Sequence, residues 1–116
     1  MQTYTGQCHC GAIGFSVSAE IKDVLECNCS ICKATGWQLT FVAADQFELT
    51  SGGDALTDYV FAKQHLHHPF CNKCGVHAFS WGDGDDGAKM YSVNTRCLNE
   101  FDVSAVDINQ YDGASL

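Results

Sequence analysis

Six stretches of the chain alternate apolar and polar side chains or concentrate β-branched and aromatic ones. They are residues 12–17, 38–42, 47–50, 56–61, 76–81 and 89–93, and each predicts a strand. Glycine- and aspartate-rich turns at 51–54 and 82–87 separate consecutive strands, the second as a solvated hairpin tip. No segment keeps a helical period over any length, and a single turn of helix after Cys29 is the most the pattern allows. The only proline, Pro69, precedes a cysteine cluster, and the eleven glycines are spread along the chain at turns. The pattern predicts a mainly β protein of packed strands, with cysteines at strand ends and in the turns between them.

Composition narrows this picture. With 116 residues the chain is one domain, 1–116, and its 46% hydrophobic content supports a core rather than disorder. The net charge is −8. Metal loading would not neutralise it, because ionised thiols add more negative charge than bound divalent ions remove. So acidic a surface offers no electrostatic footprint for nucleic acid or an anionic membrane. No apolar run approaches the ~20 residues that span a bilayer. No charged segment followed by an apolar one marks a secretory signal. The expected location is therefore cytoplasmic, where thiols stay reduced and clustered cysteines read as metal ligands rather than disulfides.

Seven of the eight cysteines fall into three clusters: Cys8 and Cys10; Cys27, Cys29 and Cys32; Cys71 and Cys74. The last is the strongest signal. Two cysteines separated by two residues let the backbone turn while both sulfurs face one metal, and Gly75 after them permits positive φ. Cys8 and Cys10 need two further ligands, which Cys71 and Cys74 can supply from ~60 residues away. One zinc would then close a long loop and stabilise the fold. Cys27, Cys29 and Cys32 bring three thiolates together within six residues. Three protein ligands leave a fourth position for water or a substrate thiol, as catalytic zinc does. A structural alternative closes that site with Cys97 or with one of His65, His67 and His68.

The remaining candidates are weaker. A lone cysteine such as Cys97 is ordinarily a small buried hydrophobe. His9 lies between two ligands and is expected to point outward, whereas His77 alternates with strand residues toward the core. Lys33, Lys73 and Arg96 flank cysteines and suit either charge offset and capture of a substrate carboxylate or plain solvation. Trp37 and Phe41 read as core or pocket wall.

Gly6 to Gly11 with its Cys-His-Cys centre, Cys27 to Cys32 with Gly36, and Phe70 to Gly75 resemble, in that order, the glutathione-dependent formaldehyde-activating family, which also includes centromere protein V. The ending from Tyr111 to Ser115 is similar to that family's close. The resemblance implies a β-tent fold of packed antiparallel sheets and two zinc ions per chain. It places a structural zinc on Cys8, Cys10, Cys71 and Cys74, and a catalytic-type zinc on Cys27, Cys29 and Cys32. The implied activity is that of a zinc-dependent carbon–sulfur lyase with a small thiol such as glutathione as partner, forming and cleaving S-hydroxymethylglutathione. A thiol- or protein-binding module without catalysis is the alternative reading. Fold and metal sites do not by themselves fix a substrate.

Overall fold

The computed structural model describes residues 1–60, 66–83 and 87–115. Among these, ten strands carry the fold and one six-residue helix interrupts them. A three-stranded sheet has the order β1 (Gln2–Gln7), β2 (Gly14–Ala19), β5 (Phe47–Ser51). A seven-stranded sheet runs β10 (Asp107–Tyr111), β3 (Asp23–Cys27), β4 (Leu39–Ala43), β9 (Lys89–Asn94), β8 (Phe79–Asp83), β7 (Leu66–Cys71), β6 (Leu56–Tyr59). Neighbours are antiparallel except β10 and β3, which pair in parallel. The mainly β architecture expected from the sequence is the one found, and the parallel pairing of β10 with β3 is its departure from the antiparallel sheets that the resemblance implies.

Period two divides the work of the large sheet. Val42, Tyr91, Val93 and Phe79 turn to one face and meet Phe15, Val17 and Phe47 of the small sheet in the main core. Phe47 stacks on Tyr91 at 4.2 Å between ring centroids and lies 4.7 Å from Phe79. Such aromatic contacts add to the area that each ring already buries. The alternate residues Leu39, Phe41, Ser80, Met90 and Ser92 face the other way and line a cavity. Cross-strand pairs Phe41 with Ser92 and Gly82 with Met90 put them on one surface. The small sheet thus covers one side of the large sheet, and the other side is left as a wall.

The predicted strands are all present, with shifted ends. The first begins at Gly14, because residues 8–13 form a turn in which Cys8 N–H donates to Ile13 O at 3.1 Å. The strand read at 76–81 begins at Phe79, since Val76 is held in the preceding knuckle by the Cys71 N–H. Phe61, at the end of the predicted fourth strand, and Gly84, Asp85 and Asp86, at the predicted hairpin tip, lie outside the described residues. Their flanking strands still pair, up to Asp83 opposite Lys89. The expected turn of helix after Cys29 is α1, Ser30–Thr35. No helix among the described residues is long and apolar enough to cross a membrane.

Candidate metal centres and the adjoining cavity

Two groups of cysteines converge, and they are the two sets read from the sequence. In the first, Cys8 and Cys10 sit in the turn after β1, Cys71 ends β7, and Cys74 sits in the turn that follows. All four sulfurs lie within 4.8 Å of one another. Gly75, at φ +82°, reverses the chain after Cys74, and its N–H returns to Cys71 O at 2.7 Å. A φ in this region costs glycine little.

The sulfur spacing tests what this group suits. Cys8 Sγ is 3.7 Å from Cys10 Sγ, which is 3.6 Å from Cys71 Sγ, across 61 positions of sequence. A tetrahedron with metal–sulfur arms of ~2.3 Å has sulfur–sulfur edges of about 3.8 Å. A disulfide would need about 2.05 Å, and all eight cysteines are free. The Ile13 N–H points at Cys8 Sγ at 3.3 Å and the Lys73 N–H at Cys71 Sγ at 3.4 Å, as thiolate acceptors require. Burial opposes ionisation of Cys74, but the N–H groups of Cys10 and Val76 and the neighbouring thiols outweigh it and bring it down to about 6. At Cys10 the Ala12 N–H favours the thiolate. Desolvation and the sulfurs of Cys71, Cys8 and Cys74 prevail there and push it up to about 11. Four adjacent thiols cannot all ionise unaided, and a divalent cation removes that conflict.

The second group is built from one loop. Cys27 ends β3, Cys29 caps the N-terminus of α1, and Cys32 lies in its first turn. Their sulfurs again lie within 4.8 Å of one another. Burial resists a Cys29 thiolate, but the Cys32 and Ile31 N–H groups at the helix start overcome it and lower the thiol. Burial drives Cys32 up to about 12, against the pull of the Trp37 indole. Trp37 Nε1 is buried and makes no hydrogen bond of normal geometry, so the nearby Cys32 sulfur is the group on which its N–H acts. A metal-held Cys32 thiolate would give that donor its natural counterpart. The donor set and the unused N–H both fit a thiophilic divalent ion.

The C-terminal segment closes over this loop. Asn28 Nδ2 donates to Asp112 Oδ1, and Ala114 N–H donates to Asn28 Oδ1, both at 2.9 Å. Asn28 N–H also donates to Tyr111 O at 3.1 Å. Ser115 Oγ and Asn28 hold the Asp112 carboxyl below the usual range. These bonds bring Gly113 against the sulfurs, where an added Cβ would lie 2.5 Å from Cys27 Sγ and 3.4 Å from Cys29 Cβ. Gly113→Ala is therefore expected to weaken metal binding at the second group by roughly 10- to 100-fold, the range for residues that orient ligands. Chelator competition should show the first group unaltered.

Beside the three sulfurs opens a cavity of about 390 Å³, on the face of the large sheet away from the core. Cys27, Cys29 and Cys32 form one end. Trp37, Leu39, Phe41, Trp81 and Met90 supply most of its apolar wall. Trp37 is buried and Phe41 is 52% exposed at the cavity mouth, so both are pocket wall.

The other candidates separate from the two groups. Cys97 packs against the main core and joins neither set of sulfurs; burial and the nearby Cys8 and Cys74 raise it to about 11. His67 and His68 line the cavity but bring no nitrogen within the 4.8 Å sulfur group. His65 lies outside the described residues. His9 is exposed, and His77 is part-buried edge-on to Trp37 at 5.4 Å. Lys33, Lys73 and Arg96 are exposed, and none is among the described residues lining the cavity. Arg96 instead adds to the lowering of Glu26, whose main causes are the Gln38 and Gln110 amides. Asn28, Asp112 and Gly113 were not singled out by spacing. The small residues after Asp112 carry no signal of their own until the tail is seen against Cys27.

The fold has a solved counterpart. A crystal structure of a Rhodobacter sphaeroides protein superposes with a TM-score of 0.78 at 25% identity, covering 90% of this chain and 99% of that one. A model of the glutathione-dependent formaldehyde-activating enzyme family matches residues 3–112. That span contains both sets of sulfurs, Asp112 of the closing segment and the described cavity-lining residues other than Gly113. The chain belongs to the glutathione-dependent formaldehyde-activating enzyme family.

Proposed function

We propose that this protein is a zinc-dependent carbon–sulfur lyase that forms and cleaves a hydroxymethyl thioether of a small thiol such as glutathione. The observation that carries this reading is the position of the three-sulfur group at the end of a cavity of about 390 Å³. That volume is within the range of small-molecule sites. In this reading Cys8, Cys10, Cys71 and Cys74 hold a structural zinc, and Cys27, Cys29 and Cys32 hold a reactive one. When bound there, zinc supplies the Lewis acidity that keeps a thiol ionised near neutral pH. Trp37 and Leu39, which pack with Cys32, shield that end of the cavity from water, which strengthens every charge interaction inside it. Asn28 and Gly113 fix the loop that presents the sulfurs. The protein acts as a single cytoplasmic domain.

Exchange NMR on glutathione and formaldehyde provides the test. Catalytic amounts of the two-zinc protein are expected to broaden the S-hydroxymethylglutathione resonances well beyond the uncatalysed rate. Unchanged exchange would overturn the lyase reading. Binding of glutathione without acceleration would make the domain a thiol-binding module.

A further inference from the structure

We infer that the thiol taken by the cavity carries an uncharged, apolar body, such as an alkyl chain or an aromatic ring; this rests on the lyase reading above and names the substrate class of that site. Strand register shows how the cavity is made. Leu25 lies on the Cys27 face of β3 and pairs with Leu39 on β4. Phe41 pairs with Ser92, which pairs with Ser80. Met90 pairs with Gly82, which pairs with Leu66. Directly paired residues share a sheet face, and all of these line the cavity.

The outcome is a trough with a small-residue floor and large apolar walls. Ser80, Gly82 and Ser92, on β8 and β9, form the floor, and their small size leaves the room. Leu39, Phe41, Leu66 and Met90 stand around it. Apolar character begins at the sulfurs, because Trp37 and Leu39 pack with Cys32. It continues to the mouth, where Phe41, Leu66, Met90 and Tyr111 are large apolar side chains left exposed. Such apolar surface, open to water around a cavity, marks a place for an apolar ligand.

A thiol seated at Cys27, Cys29 and Cys32 extends its body over this floor. An alkyl or aryl body there takes apolar surface of both ligand and wall out of water. Glutathione fits the same place less well. Its body is a chain of peptide groups with a carboxylate at each end, and a buried carboxylate needs a cation or a set of donors. No lysine or arginine is among the described residues lining the cavity. The net charge of −8 adds a general repulsion toward an anion.

Two residues set this preference. Ser92 sets the depth of the trough, because a larger side chain in its place would rise from the floor between Phe41 and Ser80. Phe41 sets the chemistry of the mouth, where it is exposed and free of the main core. Affinity is therefore expected to follow the apolar area that the thiol carries, by roughly fourfold for each methylene that the walls cover. The gain stops when the cavity of about 390 Å³ is filled.

The test titrates zinc-loaded wild type, Ser92→Leu and Phe41→Lys with ethanethiol, butanethiol, hexanethiol and glutathione. Binding is read from proton–nitrogen correlation spectra, and exchange with formaldehyde is measured on the same samples. In wild type, affinity should rise along the alkanethiol series, with shifts centred on Leu39, Phe41 and Met90. Hexanethiol should bind at least about 10-fold more tightly than glutathione, and both should be accelerated in exchange. Ser92→Leu should keep two zincs by native mass spectrometry and flatten the series. Phe41→Lys, at an exposed position, should weaken hexanethiol and strengthen glutathione. Affinities that do not rise with chain length, or glutathione bound as tightly as hexanethiol, overturn this proposal, and the lyase reading stands if exchange is still accelerated. Affinities that follow the series with no thiol accelerated overturn the lyase reading and uphold the apolar preference.

Discussion

Cys71→Ser is expected to abolish the cooperative thermal transition and collapse the dispersion of the amide NMR spectrum. Cys71 is 0% exposed and Cys8 is 1% exposed, and both belong to the same core as Ile13, Phe15, Val17 and Val93. Their sulfurs are therefore part of the packing between the two sheets, not an appendage to it. Structural zinc in small peptides contributes about 10–16 kcal/mol of folding free energy. The whole stability of a domain is about 5–15 kcal/mol. Removing one ligand of four weakens that metal, leaves a serine hydroxyl buried among the remaining sulfurs, and loosens the link between β1 and β7. Any one of these is a sizeable fraction of the total. Circular dichroism and a proton–nitrogen correlation spectrum would reveal the loss. A variant that melts cooperatively within a few degrees of wild type would show that the first group does not hold the fold together.

The second large effect is the opposite in kind. Cys29→Ser should leave a folded protein that carries one zinc instead of two and no longer binds glutathione. Cys32, Trp37 and Leu39 form a small cluster separate from the main core. Cys29 itself is only part-buried at the start of a six-residue helix. Its loss removes one of three ligands and the thiol that the helix start favours as a thiolate, while β3 remains paired to β10 along five residues. The melting temperature is expected to fall by a few degrees, consistent with about 1 kcal/mol in a domain of this size. Native mass spectrometry with and without glutathione reads the metal count and the thiol binding together. Equal unfolding of Cys29→Ser and Cys71→Ser would refute the division of labour between the two groups.

Much of the site was legible because metal ligands cluster locally. Cys27, Cys29 and Cys32 are close in space as they are close in sequence, and a turn suffices to bring them together. The strands with clear alternation, such as β2, were legible for a similar reason, since each records one buried face. Four strands were not singled out, and each has a physical cause. β1 has a mostly polar sequence, with Tyr4 its one large apolar side chain, and takes its order from six cross-strand pairs with β2. β3 is short, and its antiparallel partnership with β4 rests on Leu25 and Leu39. β7 hides a strand behind two histidines and Pro69, and β10 is exposed at every position. β10 exists as a strand only because β3 offers it a parallel edge.

By itself, the sequence determined the fold class and the cysteine clusters, together with the family that those clusters resemble. These depend on periodicity and spacing, which operate over a few residues. The tertiary structure decided which side chains surround the clusters. Asn28 meets Asp112 across 84 positions, and Gly113 fits against Cys27 only because β10 lies beside β3. His67 meets Asp58 across nine positions only because β7 pairs with β6. A polar side chain does not encode its distant partner in local pattern. That partner is fixed by strand order and register, through which the sheets are closed.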